Sequence, residues 1–268
     1  MFRIVWLDCS FIIAGFPQVF RQFSKVRTQG ISFSILRHSA WAPGVTTPEA
    51  WQAWAQAPFA LNAGEEPGVK AMPPMLRRRA GLVGKMALEV AYQCLDGRSD
   101  VPTVFCSRHG DVARAVELLS DLARGELLSP MAFGMAVHNA IPGLFSIARG
   151  DRANYTALAA GNASVEHAVI EACGLLADGA EQVLLVACDA PLPELFAPYE
   201  EYEEQPHAWA WLMAPAADHA IRLEWEPCAD TPAAVMPGSL EVAAFHAGGA
   251  QQLERCDGRL RWTWSRDA

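Results

Sequence analysis

The sequence is poor in basic residues for its length: 21 Lys and Arg stand against 30 Asp and Glu in 268 residues, a formal net charge of −9. Nucleic-acid binding draws its affinity from clustered cations that displace counterions from phosphates, so this balance argues against a nucleic-acid partner. The only dense basic run is Arg77-Arg78-Arg79. It reads first as a solvated helix start, and second as a landing place for an acidic partner or a phosphate. Paired cysteines are missing too. Cys9, Cys94, Cys106, Cys173, Cys188, Cys228 and Cys256 form no C-x-x-C unit and several sit in apolar runs. That pattern excludes a disulfide framework and a zinc site, and it points to buried thiols in a reducing, cytoplasmic compartment. No apolar run reaches the ~20 residues of a membrane-crossing helix. The nearest, Ile4 to Phe16, is interrupted by Asp8 and has no clean small-residue cleavage site after it. Internal repeats, low-complexity tracts and any spacing that suggests a metal or cofactor are likewise absent.

What is present is an apolar share of 51% and a charged share of 19%, in a chain long enough to bury a sizeable core. The segment from Ile31 to Leu36 alternates as a strand. Thr47-Pro48 then opens a helix whose Trp51 and Trp54 share one face. Residues 59–74, rich in Pro, Gly, Ala and Asn, read as a loop, and Leu76 to Leu95 has helical spacing. Thr103 to Cys106 is a strand, followed by a turn at Ser107-Arg-His-Gly110 and a helix from Asp111 to Arg124. Ser129 caps a helix with Pro130 at its first position, expected to run to Ala140 before a loop at Pro142-Gly143. Asn154 to Leu158 is a strand, Gly161-Asn162 a turn, Ser164 to Leu176 a helix stopped by Gly179, and Val183 to Ala187 a buried central strand. Strand, turn, helix and strand in succession are the rhythm of an α/β sheet. After an acidic stretch from Glu194 to Glu204 come strand patterns at Ala208–Met213, Ile221–Trp225 and Leu260–Trp264, with a weak helix over Leu240–Ala247.

A strand that ends in a sharp turn and re-enters a helix is a favoured place for a nucleophile, because helix-start N–H groups face a developing oxyanion there. The turn here reads Leu158-Ala-Ala-Gly-Asn-Ala-Ser-Val165 and offers none at its apex. In its order of blocks the chain resembles the N-terminal half of β-ketoacyl synthases, members of the thiolase-like fold. This turn matches their Cys-bearing T-A-C-S-S-S-L type run. Ser129-Pro-Met-Ala-Phe to Val137-His-Asn-Ala-Ile-Pro-Gly143 matches the helix and Asn-containing loop before it, and Val183 to Asp189 after Ala177-Asp-Gly-Ala-Glu181 matches the next strand. Together the blocks span residues 31–215. More narrowly, the start at Ile31, Trp41-Ala-Pro-Gly44, the Trp51 to Trp54 pattern and His138-Asn139 look like the short synthase-like proteins of bacterial aryl polyene pigment clusters, regarded as chain-length-factor-like partners of a full synthase.

The resemblance implies a thiolase-like half-fold: a mixed five-stranded-type sheet with helices packed on it, in a single domain over residues 31–227. Residues 1–30 and 228–268 are then extensions. The family's nucleophilic Cys falls on Gly161, or on Ala160 if the turn differs by one residue, and neither can form a thioester. The family's two catalytic His residues lie in a C-terminal repeat that this chain is too short to contain. A non-catalytic subunit is implied, pairing as a heterodimer with a full-length β-ketoacyl synthase, meeting an acyl carrier protein more weakly, and holding neither cofactor nor metal. Asn154, Tyr155, Thr156, Ala157 and Leu158 are the implied interface; Phe133, Val137, His138, Asn139 and Leu144 are tunnel-lining candidates. His138 and Asn139 could equally end a helix by bonding its last carbonyls.

Two enzyme readings compete. Cys106 with His109 suggests a dyad, although a strand thiol followed by a turn His is the simpler account. Ser164 with His167 suggests a thiolase-fold hydrolase or acyltransferase, but the G-x-S-x-G elbow is missing and Ser164 reads as a first-turn helix residue. A self-associating scaffold is the third alternative.

Overall fold

Alternation of large and small apolar residues along the central strands dictates two different faces. On β4 (Val183–Asp189), Val183, Leu185 and Ala187 join one buried cluster while Leu184, Val186 and Cys188 join another. On β5 (His207–Pro215), Trp209, Trp211 and Met213 point to the first, and Ala208, Ala210 and Leu212 to the second. A strand buried on both faces needs cover on both, and helices supply it. The small side of β5 lies under α3 (Leu82–Leu95), whose own Ala87 and Ala91 are fully buried. The tryptophan side lies under α1 (Pro48–Gln56) and α7 (Ser164–Ala177).

The computed structural model describes residues 29–62, 64–229 and 236–267. Its sheet has eight strands, in the order β3 (Tyr155–Leu158), β2 (Thr103–Cys106), β4, β5, β1 (Gln29–Trp41), β6 (Ile221–Pro227), β8 (Leu260–Arg266) and β7 (Gln252–Cys256). β2 (Thr103–Cys106) pairs in parallel with both β3 (Tyr155–Leu158) and β4. β5 is antiparallel to β4 and to β1 (Gln29–Trp41). These five strands are the thiolase-like half-fold that the sequence implies. Three more, β6 (Ile221–Pro227), β7 (Gln252–Cys256) and β8 (Leu260–Arg266), continue the sheet beyond β1. The expected five-stranded sheet is thus five of eight. Residues after 227, expected as an extension, add α8 (Gly238–Gly248) and bury Trp262 and Trp264 in the same core. The expectations for Ile4 to Phe16, and for residues 1–30 as far as residue 28, lie outside the described residues. No helix among the described residues is long and apolar enough to cross a membrane.

Two helix boundaries differ from those expected. The Leu76–Leu95 pattern divides into a single turn, α2 (Pro74–Arg77), and α3. The helix capped by Ser129 is only α5 (Pro130–Met135), and the Pro142-Gly143 segment lies inside α6 (Ala140–Arg149) rather than in a loop. Pro142 sits in the first turn, where its absent N–H would have had no intrahelical acceptor, and burial of Ile141, Leu144 and Phe145 supports the helix there. Before them, α4 (Val112–Ala123) starts at Asp111, whose carboxylate accepts from Arg114 N.

Candidate functional site

The bend that follows β3 has the backbone of a nucleophile turn. Gly161 adopts φ +60, a 3-10 turn covers Gly161–Ala163, and α7 begins at Ser164. A left-handed φ costs other residues roughly 1–2 kcal/mol, so glycine relaxes this position. A Cβ built on Gly161 would meet nothing within 4 Å, so it is conformation rather than crowding that suits glycine. Ser164 closes the turn: its hydroxyl donates to Gly161 O at 2.8 Å and accepts from Ala160 N at 2.9 Å. His167 is turned to Ala163 O at 2.9 Å, so no base stands beside Ser164.

The rest of the site braces the bend. Asp189, at the end of β4, accepts from Ser107 Oγ at 2.7 Å, Arg108 N at 2.9 Å and His109 N at 3.3 Å. Burial pushes its carboxyl up to about 6 against the bond from Ser107. The acidic stretch then folds back over the bend. Arg108 meets Glu201 at 3.0 Å, Glu204 at 3.4 Å and the Tyr202 hydroxyl, while His109 Nε2 lies 3.0 Å from Glu204. Tyr202 donates to Asn162 Oδ1 at 2.7 Å, and Asn162 Nδ2 donates to Glu201 at 2.7 Å. From the opposite side Arg255 of β7 reaches Asn162 O at 3.0 Å, Glu241 at 2.5 Å and the fully buried Glu166. Burial works against the Arg255 charge, yet Glu166 and Glu241 hold it above its ordinary pKa. The void left at the bend is about 10 Å³, room for about one water.

No thiol nearby is armed. Burial pushes Cys106 and Cys188 far up and Cys94 and Cys173 up to about 12, so all stay protonated at neutral pH and lack the thiolate that nucleophilic attack needs. His109 turns to Glu204, so it forms no dyad with Cys106. Sequence reasoning did miss one Ser–His pair. Ser239 lies 2.6 Å from His207 Nε2, and His207 Nδ1 lies 2.7 Å from Gln205 O. The carbonyl fixes Nδ1 as the protonated nitrogen, which leaves Nε2 to accept from the serine. His207 is completely buried, and burial lowers it to about 4. Ser239 borders the same small pocket of about 10 Å³, and the pair ties β5 to α8. Among the described residues no group of three metal-ligating side chains gathers.

Of the implied interface, Tyr155 to Leu158 form an edge strand, with Asn154 and Tyr155 exposed and Thr156, Ala157 and Leu158 half-buried. Phe133 and Val137 are exposed, and with Leu119, Leu122, Leu127 and Met131 they make the α4–α5 region rich in uncovered apolar side chains. His138 holds Ser107 O through Nε2 at 3.0 Å, and Asn139 precedes α6 without a side-chain cap. Leu144 is 3% exposed and packs in the core with residues of α3. Arg77 is spent on Gly68 O and Val69 O, while Arg78 and Arg79 are exposed.

A family described as β-ketoacyl synthase, N-terminal domain, matches residues 51–265. A chain of the complex of the ketosynthase ApeO with its chain length factor ApeC, from Xenorhabdus doucetiae, superposes with a TM-score of 0.79 at 26% identity, over 88% of this chain and 100% of that one. The AntDE:AntF assembly, a type II polyketide synthase acyl carrier protein with its ketosynthase, gives a TM-score of 0.63 at 10% identity over 89% and 99%. The ishigamide ketosynthase/chain length factor gives 0.58 at 15% identity over 82% and 74%. These last two show the fold alone. No curated protein matches the sequence.

Proposed function

Because the chain belongs to the β-ketoacyl synthase family through its N-terminal domain, we propose that it is a non-catalytic, chain-length-factor-like subunit that pairs with a complete, active ketosynthase. The observation that carries this reading is Gly161: a left-handed glycine occupies the apex of the nucleophile turn, at the position where the family carries its cysteine. A condensing enzyme must hold an acyl thioester at that point. Here there is no sulfur to form it.

Pairing is supported by the edge position of β3 and by the uncovered Phe133, Val137, Leu127 and Met131. An unpaired strand edge beside a large apolar surface is an invitation to association. The ApeO–ApeC relative supports the partner's identity, since the matched chain is covered in full by a match spanning 88% of this one and is therefore similarly short. In this reading Asn154 to Leu158 pair with the synthase across a two-fold axis, and Phe133, Val137, His138 and Asn139 border the tunnel in which a growing chain lies. The pathway is of fatty-acid or polyketide type, the product an aryl polyene pigment, and the site of action the cytoplasm. Exposed Arg78 and Arg79 are the residues offered to an acidic acyl carrier protein.

Co-expression with the cognate synthase followed by size exclusion tests the pairing. The two chains co-elute, and replacing Phe133 and Val137 by Asp separates them. A chain that never co-elutes with any synthase counts against the proposal.

A further inference from the structure

The last strands of the sheet bring two cysteines together. Arg261 of β8 stands opposite Glu226 of β6 on one side and Cys256 of β7 on the other, so the three side chains share one face. Cys228, two residues past Glu226, keeps to that face by alternation, and its N–H donates to Arg259 O at 2.8 Å. The sulfurs of Cys228 and Cys256 lie 3.3 Å apart, although 28 positions separate them along the chain. A disulfide bond is ~2.05 Å long, so the two sulfurs have only ~1.2 Å to close between them.

Access and charge set this pair apart from the other thiols. Cys228 and Cys256 are both half-buried, whereas Cys94, Cys106 and Cys188 are buried, and Cys188 Sγ is directed at Cys106 O, 3.9 Å away. A dissolved reagent therefore reaches the first pair and not the second. Arg261 stands beside both sulfurs: its Nη2 lies 3.9 Å from Cys228 Sγ, while its Nη1 pairs with Glu226 at 3.2 Å. A guanidinium next to sulfur favours the thiolate, the form that attacks a disulfide. Burial and the neighbouring Cys228 raise the Cys256 thiol and Arg261 works against them, so attack should quicken as pH rises above 7.

We propose that Cys228 and Cys256 form a dithiol site that a low-molecular-weight disulfide, such as oxidised glutathione, converts to an internal disulfide fastening the end of β6 to β7. One thiolate attacks a glutathione sulfur, making a protein–glutathione disulfide and expelling one glutathione thiolate. The other then attacks the protein sulfur of that mixed disulfide and expels the second. The two protein thiols give up two electrons and two protons, and one oxidised glutathione becomes two reduced. Arg255, one residue before Cys256, points to the opposite face of β7 and holds Glu166, Glu241 and Asn162 O at the bend. β7 pairs only with β8, so the bond secures from a second strand the element that carries Arg255. Neither Gly161 nor the pairing with a synthase enters this inference.

The test treats the full, native chain with oxidised glutathione, quenches it in acid, then denatures and alkylates it without reduction. Of the seven cysteines, five should take the label, with no glutathione retained, and peptide mapping should join Cys228 to Cys256. Closing a loop of this length should raise Tm by about 5–10 °C, a gain that dithiothreitol reverses. C256S, with no second thiol to complete the exchange, should stop at a glutathione adduct on Cys228 and show no such gain. C228S should do the same through Cys256, which keeps the test decisive if either variant misfolds. Seven labels on the treated chain, glutathione retained on Cys228 or Cys256 of the unsubstituted chain, or a link from either to another cysteine would each overturn the proposal.

Discussion

The bend after β3 and the cleft beside β1 handle polar groups in opposite ways. At the bend, Ser164, Asn162, Asp189 and Tyr202 are all hydrogen-bonded within the chain and about 10 Å³ is left open. At the cleft, walled by Arg37, His38, Ser39 and Ala40 and by residues of α1, α8 and β5, about 560 Å³ is open, and Trp51 Nε1 and His246 Nδ1, buried in its wall residues, have no hydrogen-bond partner among the described residues. The fold's place for a nucleophile has thus become a structural knot, while the larger open space lies elsewhere. A group already satisfied inside the chain gains little by turning to a ligand.

The knot's most expensive member is Arg255. Removing it leaves Glu166, fully buried and with Oε2 already without a partner among the described residues, as an uncompensated charge beside Glu241. R255A should lower stability by about 3–5 kcal/mol in chemical denaturation. A loss below 1 kcal/mol would mean that the bend is not held from β7 and would weaken the contrast with the cleft.

Acid comes next. His207 and His246 are neutral in the fold, with pKa lowered to about 4 and about 3, so their contribution is present above the unfolded value near 6.5 and is lost as pH falls toward those values. Asp189 has the opposite sign. Its pKa, raised to about 6, favours the fold below the unfolded value near 3.9, and that contribution is lost as pH rises through 6. Two groups against one give a net loss of roughly 2–3 kcal/mol between pH 7 and pH 4.5, seen as a falling Tm. D189N should steepen that fall, and H246F should flatten it by taking away the cleft's share.

Gly161 should show the smallest effect. G161C should cost about 1–2 kcal/mol from its left-handed backbone alone and should confer no condensing activity, since the thiol gains no histidine partner. Acyl transfer by G161C would show that the bend still has the rest of an active site around it.

The central strands were legible because burial on both faces leaves continuous apolar runs such as Val183 to Ala187, and the Gly161 turn because its neighbours are a strand and an apolar helix. β7 was not. It pairs only with β8, its residues alternate between exposed and half-buried, and Glu254 and Arg255 read as solvated. The signal available was Asp257-Gly258, a hairpin turn with Gly258 at φ +86. The knot was hidden for a different reason: Arg108, Asn162, Glu201 and Arg255 are brought together by folding from four separate segments, and nothing in their spacing declares it. The helix over Pro142-Gly143 was missed because a Pro-Gly pair reads as a loop, when burial of its neighbours carries the helix through it.

The most direct test is intact-mass analysis of this chain and its cognate synthase, purified apart and then mixed, after incubation with an acyl thioester. The account predicts an acyl adduct on the synthase alone and none on this chain, with the two eluting as one complex. An acyl adduct on this chain in isolation, chased by an extender thioester, would contradict it.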